Sequence, residues 1–423
     1  MNKQINEEVS DTQAGFRKNR GTRDHLFNLV TLIQKHNEIN EDLRICFIDY
    51  SKAFDCVSHT KMWNTLHEMN FPPKIIALLQ SLYHEQQATI RLENKETEPF
   101  TVGKGVRQGC ILSPNLFSLY TESIMRNVEH DPKSSKYEEV NINGRTIRDL
   151  RYADDTALLS KSEEGLRNLV EAVKEHSEAK DLMLNVKKTK IMDTEKCTQK
   201  SNIQLNGQTL ENVEYFEYLG ARVENDGRTK KEMARRIAIA SQKLKNLAKI
   251  WEGQNNTVKL DILRACIFPV VLYGCEAWTP LQTDLDKLRA FEMKCYRKLL
   301  KISWTEKITN EEVRSRLQID NSYLIAQFKK LKMSYFGHIK RHDSLEKTIL
   351  EGKLEGKRKR GKPRRAWTDD IKNWLEMSVK EAGNVAYDRD QYRRHSQAAT
   401  SQATDFPASQ RRKSEVSRDT PGR

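Results

Sequence analysis

The sequence predicts an α+β fold, with strands and helices mixed in the first half and a mainly helical, more basic second half. Three patterns support this prediction. Residues 45–48 form a continuous apolar run bounded by charge, which is typical of a strand buried on both faces, although a buried helix segment would show the same run. Ser113 as N-cap, with Pro114 at the first helical position, is a typical helix start, and Ser162 is another candidate N-cap. From Met233 onward, apolar residues recur in alternating steps of four and three, as on one face of a helix.

Composition restricts the class of protein. The 423 residues suggest two or three domains on length alone. Lys and Arg outnumber Asp and Glu by 73 to 59, which favours a polyanionic partner such as nucleic acid or an anionic membrane surface. No apolar run is long enough to span a membrane and no signal segment opens the sequence, so we expect no membrane partner and an intracellular location. The seven cysteines form no C-x-x-C pair, which indicates neither zinc nor a disulfide framework.

A basic run lies at residues 353–365, where KLEGKRKRGKPRR contains eight basic residues and one acid. It predicts a nucleic-acid-binding or nuclear-localisation patch that includes Lys357, Arg358, Lys359 and Arg360, and the alternative is a solvated linker. The patch favours the nucleus over the cytoplasm. From residue 395 the chain has few large apolar residues and is predicted to be disordered, because it cannot bury enough surface to fold alone.

Asp49, Asp154 and Asp155 are three candidate site residues in two short segments, the first of which also contains Asp55. In FIDYSKAFD (residues 47–55), a buried strand would end at Asp49 and deliver its carboxylate to the edge of a sheet. In RYADDTALLS (residues 151–160), apolar residues on both sides of Asp154 and Asp155 predict a strand, a turn and a strand. The pair could serve only to form the turn, since Asp tolerates turn conformations. A hairpin tip beside the first strand would also gather three carboxylates, and phosphoryl transfer uses such ligands for hard cations.

Five blocks in sequence order resemble the reverse transcriptases of non-LTR (LINE-type) retrotransposons. The blocks are QAGFRKNRGTRDHLFNL (residues 13–29), CFIDYSKAFDCVSH (46–59, motif A), GVRQGCILSPNLFSLY (105–120, motif B), RYADDTALLS (151–160, motif C), and LMLNVKKTKIM with YFEYLGARV (182–192 and 215–223, motifs D and E). Each block alone is a weak signal, but all five in order are highly specific. The resemblance implies an RNA-directed DNA polymerase.

The resemblance implies roles for the charged residues of these motifs. Asp49, Asp154 and Asp155 would bind two Mg²⁺ ions, for which Mn²⁺ could substitute. Lys188, or its neighbour Lys187, would lie near the triphosphate. For the lysines, the alternative is an ordinary solvated side chain.

Other motif positions would contact the nucleotide, the primer and the template. Phe54 would stand against the sugar and exclude a 2′-hydroxyl, which selects deoxynucleotides; its alternative is a core phenylalanine. The remaining implied contacts are with the nucleotide at Tyr50, Gln108 and Gly109, with the primer end at Tyr218, Leu219 and Gly220, and with nucleic acid at Arg17 and Arg23. The two arginines could equally be surface residues.

The resemblance also implies an architecture. It is an α+β fold with a right-hand polymerase palm, in which an antiparallel sheet packs on helices, and with incomplete fingers, followed by an α-helical thumb and a basic, partly disordered C-terminal region. The predicted boundaries are 1–223 for partial fingers and palm, 224–318 for the thumb, 319–394 for the basic helical region and 395–423 for the disordered tail. The implied partners are an RNA template, a DNA primer and dNTP, with an endonuclease domain encoded upstream in the parent element.

Two features differ from the family pattern. The sequence begins just before QAGFR, whereas the family places much of the fingers and its triphosphate-binding basic residues upstream, so we expect an N-terminally truncated polymerase. Asp181 stands where members often have Gly, and Asp adopts left-handed backbone conformations better than most residues. Two alternatives remain: a catalytically dead relic that only binds nucleic acid, and an RNA-dependent RNA polymerase, against which Phe54 argues.

Overall fold

The chain folds into two compact units. A computed structural model describes residues 2–93, 95–247, 251, 253–356, 358, 361 and 363–401. The first unit consists of Met1–Gly227 with Thr348–Gly361, and the second of Arg228–Lys347 with Lys362–Arg423. Within the described residues, no helix has both the length and the apolar content needed to cross a membrane.

The first unit mixes helices and strands, as the sequence predicts. Its helices are α1 (Asn2–Glu8), α2 (Thr22–Ile39), α3 (His59–Glu68), α4 (Pro73–Tyr83), α5 (Ser113–Glu129) and α6 (Glu163–Glu178). Its strands are β1 (Arg44–Ile48), β2 (Gln87–Ala88), β3 (Arg91–Leu92), β4 (Lys95–Glu96), β5 (Phe100–Thr101), β6 (Val140–Ile142), β7 (Arg145–Ile147), β8 (Asp149–Tyr152), β9 (Asp155–Ser160), β10 (Lys190–Asp193), β11 (Gln204–Leu205), β12 (Gln208–Thr209), β13 (Glu211–Asn212), β14 (Tyr215–Tyr218) and β15 (Ala221–Glu224).

A five-stranded sheet organises this unit, with the strand order β13-β10-β1-β9-β8. Strand β1 is central, antiparallel to both β9 and β10, and all five of its residues are buried. The strand predicted from the apolar run at residues 45–48 is therefore confirmed. A central position explains the continuous apolar pattern, because such a strand is covered on both faces.

The two faces of β1 have different neighbours. Cys46 and Ile48 belong to the same core cluster as the apolar residues of α5 and α6. Phe47 points to the other face, where its ring stacks on that of Phe216 at a centroid distance of 4.1 Å. Because successive side chains of a strand alternate between faces, Asp49 shares the face of Phe47, and Tyr50 shares the face of the helices.

The predicted starts of α5 and α6 agree with the observed starts to within one residue. Ser162 caps α6 as predicted, because its hydroxyl accepts a hydrogen bond from Gly165 N. The predicted N-cap of α5 was wrong by one residue: Ser113 is already helical, and its hydroxyl donates to Arg107 O at 2.6 Å. Helix α5 has Pro in its first turn, as expected from the missing N–H of proline.

The second unit is mainly helical, as the sequence predicts. Its helices are α7 (Lys230–Leu247), α8 (Asn256–Ile262), α9 (Phe268–Val271), α10 (Gln282–Leu299), α11 (Asn310–Leu317), α12 (Tyr323–Arg341), α14 (Trp367–Leu375), α15 (Val379–Tyr387) and α16 (Arg389–Ser401), and α13 (Leu345–Glu351) contains the residue at which the chain returns to the first unit. The stripe on α7 is confirmed, since Met233, Ala240 and Leu244 are buried. Helix α16 continues past residue 395, where a disordered tail was predicted to begin, and residues 402–423 lie outside the described residues.

A buried ion pair lies in the core of the second unit. The ammonium of Lys332 on α12 contacts the carboxylate of Asp370 on α14, and both side chains are fully buried. Lys332 also donates to Trp278 O at 2.6 Å, and Arg365 pairs with the same aspartate. Burial lowers the pKa of Lys332, and Asp370 opposes that shift. This pair joins α12 to α14 within the core of the second unit.

Candidate active site

Asp49 lies at the point where β1 leaves the sheet. In the antiparallel register of β1 and β9, Phe47 is opposite Ala157 and Ile48 is opposite Thr156. One step further, the same register brings Asp49 beside Asp155, the first residue of β9. Directly paired residues of an antiparallel ladder project to the same face, so both carboxylates face the side of the sheet on which Phe47 lies.

Asp154 lies in the hairpin turn that precedes β9. Tyr152 pairs with Asp155 across the β8–β9 ladder, so Ala153 and Asp154 form a two-residue turn. The predicted strand, turn and strand are therefore confirmed. Ala153 has a φ of 59°, a left-handed conformation that residues with a Cβ rarely adopt. The turn places the three aspartates at one end of the sheet.

The three carboxylates interact electrostatically. Burial and the neighbouring charge of Asp49 raise the pKa of Asp154. Burial, together with Asp154 and Asp49, raises the pKa of Asp155 to about 6. Like charges at short range disfavour simultaneous ionisation, so the cluster favours a positive partner.

Lys188 supplies one positive charge beside the cluster. Its ammonium lies 3.7 Å from Asp49 Oδ2, and its side chain is 69% exposed. The loop that carries it is tied to β1, because Asn185 N donates to Asp49 O at 2.8 Å. Lys187 is also exposed. Asp181, which precedes this loop, has a φ of 60°, so the expected left-handed conformation at that position is confirmed.

The carboxylates have the chemistry of a site for a hard cation. Oxygen ligands from a few carboxylates suit Mg²⁺, which keeps several water ligands of its own. Asp49 Oδ1 is buried and has no hydrogen-bond partner among the described residues, so it is available to a ligand. In the part of the chain that the structure describes, no group of three His, Cys, Asp or Glu side chains is already arranged around a single metal position. The donor set fits the ion, but the carboxylates would have to converge on it.

Phe54 connects motif A to motif B. Its ring is half-buried and stacks on that of Phe117 in α5, with centroids 4.3 Å apart. Its backbone carbonyl accepts a hydrogen bond from Val106 N at 2.8 Å. Gln108 and Gly109 are exposed in the loop that follows, and Gly109 has a φ of +81°, which glycine adopts readily. Phe54 is therefore half-buried and packs against the edge of the hydrophobic core.

Tyr50 differs from the sequence expectation. Its ring is buried on the helical face of the sheet, and its hydroxyl lies 3.1 Å from Ser177 Oγ on α6. Burial raises the pKa of this phenol. We correct the expectation accordingly: the side chain of Tyr50 points away from the carboxylates, which leaves only its backbone for a nucleotide contact.

The predicted primer-contacting residues form a tight hairpin. Strands β14 and β15 pair through Tyr218 and Ala221, and the two turn residues Leu219 and Gly220 both have positive φ. A turn of this kind matches the twist of its strands. Tyr218 is buried, and its hydroxyl donates to Leu150 O at 2.9 Å. Tyr218 therefore anchors the hairpin to β8, and the turn itself extends from that anchor.

The predicted basic contacts are spread over several places. Arg17 is occupied within its own segment, where it donates to Ser10 O at 2.6 Å and to Gln13 O at 3.1 Å. Arg23 lies in the first turn of α2, with its Nε 3.8 Å from Asp24 Oδ1. Arg358 pairs with Glu38. Three further predicted residues, Lys357, Lys359 and Arg360, lie outside the described residues.

Sequence reasoning missed the charged residues beneath the hairpin. Arg151, in β8, is buried and donates to Asp149 Oδ2 at 2.6 Å and to Glu122 Oε2 at 2.9 Å. Although burial opposes it, the two carboxylates raise the pKa of Arg151. Thr12 Oγ1 donates to the same Asp149 at 2.8 Å. No sequence signal marks this cluster, because its members come from segments far apart in the chain.

Comparison with known proteins identifies the class. The reverse transcriptase (RNA-dependent DNA polymerase) family matches residues 1–223, more than half of the chain. The chain therefore belongs to the reverse transcriptases. Its relatives come from non-LTR mobile elements, so the matched segment is the reverse transcriptase domain of a LINE-like element, as the sequence resemblance predicted.

The individual similarities are moderate. The RNA-directed DNA polymerase from mobile element jockey of Drosophila melanogaster is 23% identical over 317 residues, which are 71% of this chain and 33% of that relative. The probable RNA-directed DNA polymerase from transposon BS of the same species is 27% identical over 307 residues, 68% of this chain and 32% of the relative. The chain thus spans about a third of the length of these curated relatives. The structure of the apo telomerase of Candida tropicalis is 11% identical in sequence. The aligned region covers 83% of this chain and 60% of the telomerase chain, with a TM-score of 0.41. That likeness is low, and the family assignment rests on the sequence match.

Proposed function

We propose that the first unit catalyses RNA-directed DNA synthesis, transferring a nucleotide from a dNTP to the 3′-hydroxyl of a primer. One observation carries the proposal: Asp49 and Asp155 occupy neighbouring register positions on one face of the sheet, with Asp154 in the adjoining turn. Burial and mutual repulsion raise the pKa values of Asp154 and Asp155, so the site is electrostatically poised to take up cations.

Two Mg²⁺ ions bound by these carboxylates would neutralise charge on the attacking primer oxygen and on the leaving pyrophosphate, and Mn²⁺ could take the same ligands. The chain's own residues position the ligands. The backbone of Asp49 is held through Asn185, and the β8–β9 ladder fixes Asp155. Lys188, 3.7 Å from Asp49, would add positive charge where the triphosphate lies. Positioning and charge stabilisation are the main demands of phosphoryl transfer.

Phe54 would select the sugar of the incoming nucleotide. Its ring rests against the buried ring of Phe117, so it cannot move inward to accommodate an additional oxygen. A 2′-hydroxyl placed against this ring would clash with it or lose its hydrogen bonds. The half-buried, supported ring therefore favours DNA as product, and Gln108 and Gly109 lie in the loop that its backbone anchors.

The architectural assignment is part of the proposal. The family match to residues 1–223 supports a palm with partial fingers in the first unit. We assign the helices of residues 224–318 to a thumb and those of 319–394 to a basic C-terminal region that contacts nucleic acid. The template would be RNA, the primer DNA, and the endonuclease would belong to the parent element. The nuclear location that the basic patch suggests stays a prediction.

Primer extension on an RNA template tests the proposal. Purified chain should incorporate dNTP in the presence of Mg²⁺ or Mn²⁺, and D154A/D155A should reduce incorporation to background. E163A/E164A, which removes two adjacent acids at the start of α6, is the matched control and should retain activity. Incorporation by the wild type that is no higher than by D154A/D155A would leave only nucleic-acid binding for this polypeptide. Preference for rNTP over dNTP would instead indicate an RNA polymerase.

A further inference from the structure

The N-terminal segment runs along the strand that leads into the catalytic turn. Arg151 N donates to Thr12 O at 2.8 Å, and Ala14 N donates to Arg151 O at 2.9 Å. Gln13 and Arg151 thus form a parallel bridge at the free edge of β8. This pairing delivers the side chain of Gln13 to the hairpin turn that follows Tyr152.

The side-chain amide of Gln13 hydrogen-bonds to both backbone polar groups of Ala153, the first residue of the turn. Its Oε1 accepts hydrogen bonds from Ala153 N at 3.0 Å and from Gly15 N at 2.8 Å. Its Nε2 donates to Ala153 O at 3.4 Å. The side chain is fully buried, so water cannot replace these bonds. Both ends of the amide are therefore used on the segment that carries Asp154 and Asp155.

Gly15 makes this arrangement sterically feasible. A Cβ at this position would lie 2.5 Å from Ala153 N, which is closer than atoms can approach without moving. Any larger residue would therefore displace either the N-terminal segment or the turn. Close approach of the two backbones is what allows one glutamine side chain to reach both polar groups of Ala153.

Ala153, to which Gln13 is hydrogen-bonded, has an unfavourable backbone conformation. Ala153 has a φ of 59°, and this left-handed region brings the Cβ of an L-residue close to the backbone. Without external hydrogen bonds, the turn would relax toward conformations that rotate the next peptide. The next two residues are Asp154 and Asp155, so such a rotation would redirect both carboxylates away from Asp49.

We propose that Gln13 is a positioning residue, whose buried amide fixes the turn at Ala153 so that Asp154 and Asp155 converge with Asp49 on the cations. The inference rests on the proposed polymerase function for its catalytic consequence. The hydrogen bonds of the Gln13 side chain described above all go to backbone groups, and the side chain is fully buried, so it acts through the two aspartates. Removing groups that orient metal ligands commonly costs about 10- to 100-fold in metal affinity or activity.

Gln13→Met tests this role, because methionine keeps the shape of the side chain and removes its hydrogen bonds. Three measurements separate the effects: hydrogen exchange at the turn, Mn²⁺ affinity by electron paramagnetic resonance without nucleotide, and kcat and KM for dNTP. S160A is the control. Ser160 is equally buried at the far end of β9, where its hydroxyl donates to Tyr137 O at 2.8 Å. The S160A substitution therefore removes a buried hydrogen bond from the same strand without changing the turn.

In Gln13→Met, we expect faster exchange at Ala153, Mn²⁺ affinity and kcat lower by about 10- to 100-fold, and a smaller change in KM. S160A should lower the melting temperature and leave Mn²⁺ affinity unchanged. Ala153→Gly added to Gln13→Met should restore part of the Mn²⁺ affinity, because glycine adopts positive φ without a Cβ penalty. A purely structural role for Gln13 would not produce this rescue.

The outcomes for the two proposals differ. If the wild type binds Mn²⁺ but does not polymerise, and Gln13→Met weakens binding, the positioning role holds and the polymerase proposal fails. If Gln13→Met keeps wild-type Mn²⁺ affinity and kcat, the positioning role is overturned while the polymerase proposal stands. If the wild type binds no Mn²⁺, Gln13 has no ligands to position, and the inference fails as well.

Discussion

Replacing Asp155 by asparagine should stabilise the metal-free protein while abolishing synthesis. Asn has nearly the same shape but carries no charge, so it removes both the cost of desolvating a carboxylate and the repulsion with Asp154 and Asp49, without leaving a cavity. The pKa of Asp155 is raised from 3.8 to about 6. Roughly two units at about 1.4 kcal/mol each would give about 3 kcal/mol as an upper bound. Although neighbouring groups partly desolvate the carboxyl, the side chain of Asp155 still reaches solvent, which screens its charge, so we expect about 1 kcal/mol at pH 8.

The raised pKa of Asp155 determines the pH range in which Asp155→Asn should be more stable than the wild type. A carboxyl with a raised pKa in the folded state binds its proton more tightly there than in the unfolded chain. Wild type therefore has its full stability contribution from Asp155 below about pH 4 and loses it as the pH rises through about 6. Asparagine does not titrate, so the advantage of Asp155→Asn should be present at pH 8 and absent near pH 4.

Urea unfolding in the presence of EDTA measures the effect, with fluorescence and circular dichroism as probes at several pH values. Asp286→Asn, an exposed acid on α10 in the second unit, is the control and should show no such pH dependence. Addition of Mg²⁺ should stabilise the wild type more than Asp155→Asn, because the cation relieves the same repulsion. A lower midpoint for Asp155→Asn than for wild type at pH 8, or an equal gain at pH 4 and pH 8, would refute the reasoning.

Three other predictions follow from the same contacts. Phe54→Ala should raise the rNTP-to-dNTP ratio of kcat/KM in primer extension, and an unchanged ratio would remove the sugar-selection role. Lys332→Ala should lower the free energy of unfolding of the second unit by about 2–3 kcal/mol, because it removes buried hydrogen bonds to Asp370 and Trp278 O while Arg365 still pairs with Asp370; calorimetry would contradict this if the transition barely moved. Tyr218→Phe should cost about 1 kcal/mol through loss of the bond to Leu150 O and should reduce primer extension more than RNA binding; equal losses in both assays would argue against an anchoring role for the hairpin.

Local patterns in the sequence were sufficient for the elements around the site. The apolar run that ends at Asp49 predicted a buried strand, and the apolar residues on both sides of Asp154 and Asp155 predicted a hairpin. Both follow from short-range rules, because burial on two faces requires a continuous apolar run and turns favour Asp. The left-handed conformation at Asp181 was expected from the family pattern, because Asp stands there where members often have Gly.

Side-chain direction and partner choice were harder to foresee. Tyr50 follows Asp49 directly, yet its ring enters the core on the opposite face, because side chains alternate along the strand. Arg17 appeared available to nucleic acid, but its guanidinium is occupied by backbone carbonyls of its own segment. Only the packed structure determines which arginine finds a partner and which remains on the surface.

The sequence by itself determined the family and the order of the motifs, because five blocks in fixed order specify them without coordinates. Only the tertiary structure decided how the side chains of Asp49, Asp154 and Asp155 are oriented. Gln13 and Ala153 are 140 residues apart in the chain, and their hydrogen bonds exist only because the N-terminal segment pairs with β8. Sequence patterns record local preference, whereas a contact between distant segments depends on the whole fold bringing their backbones together.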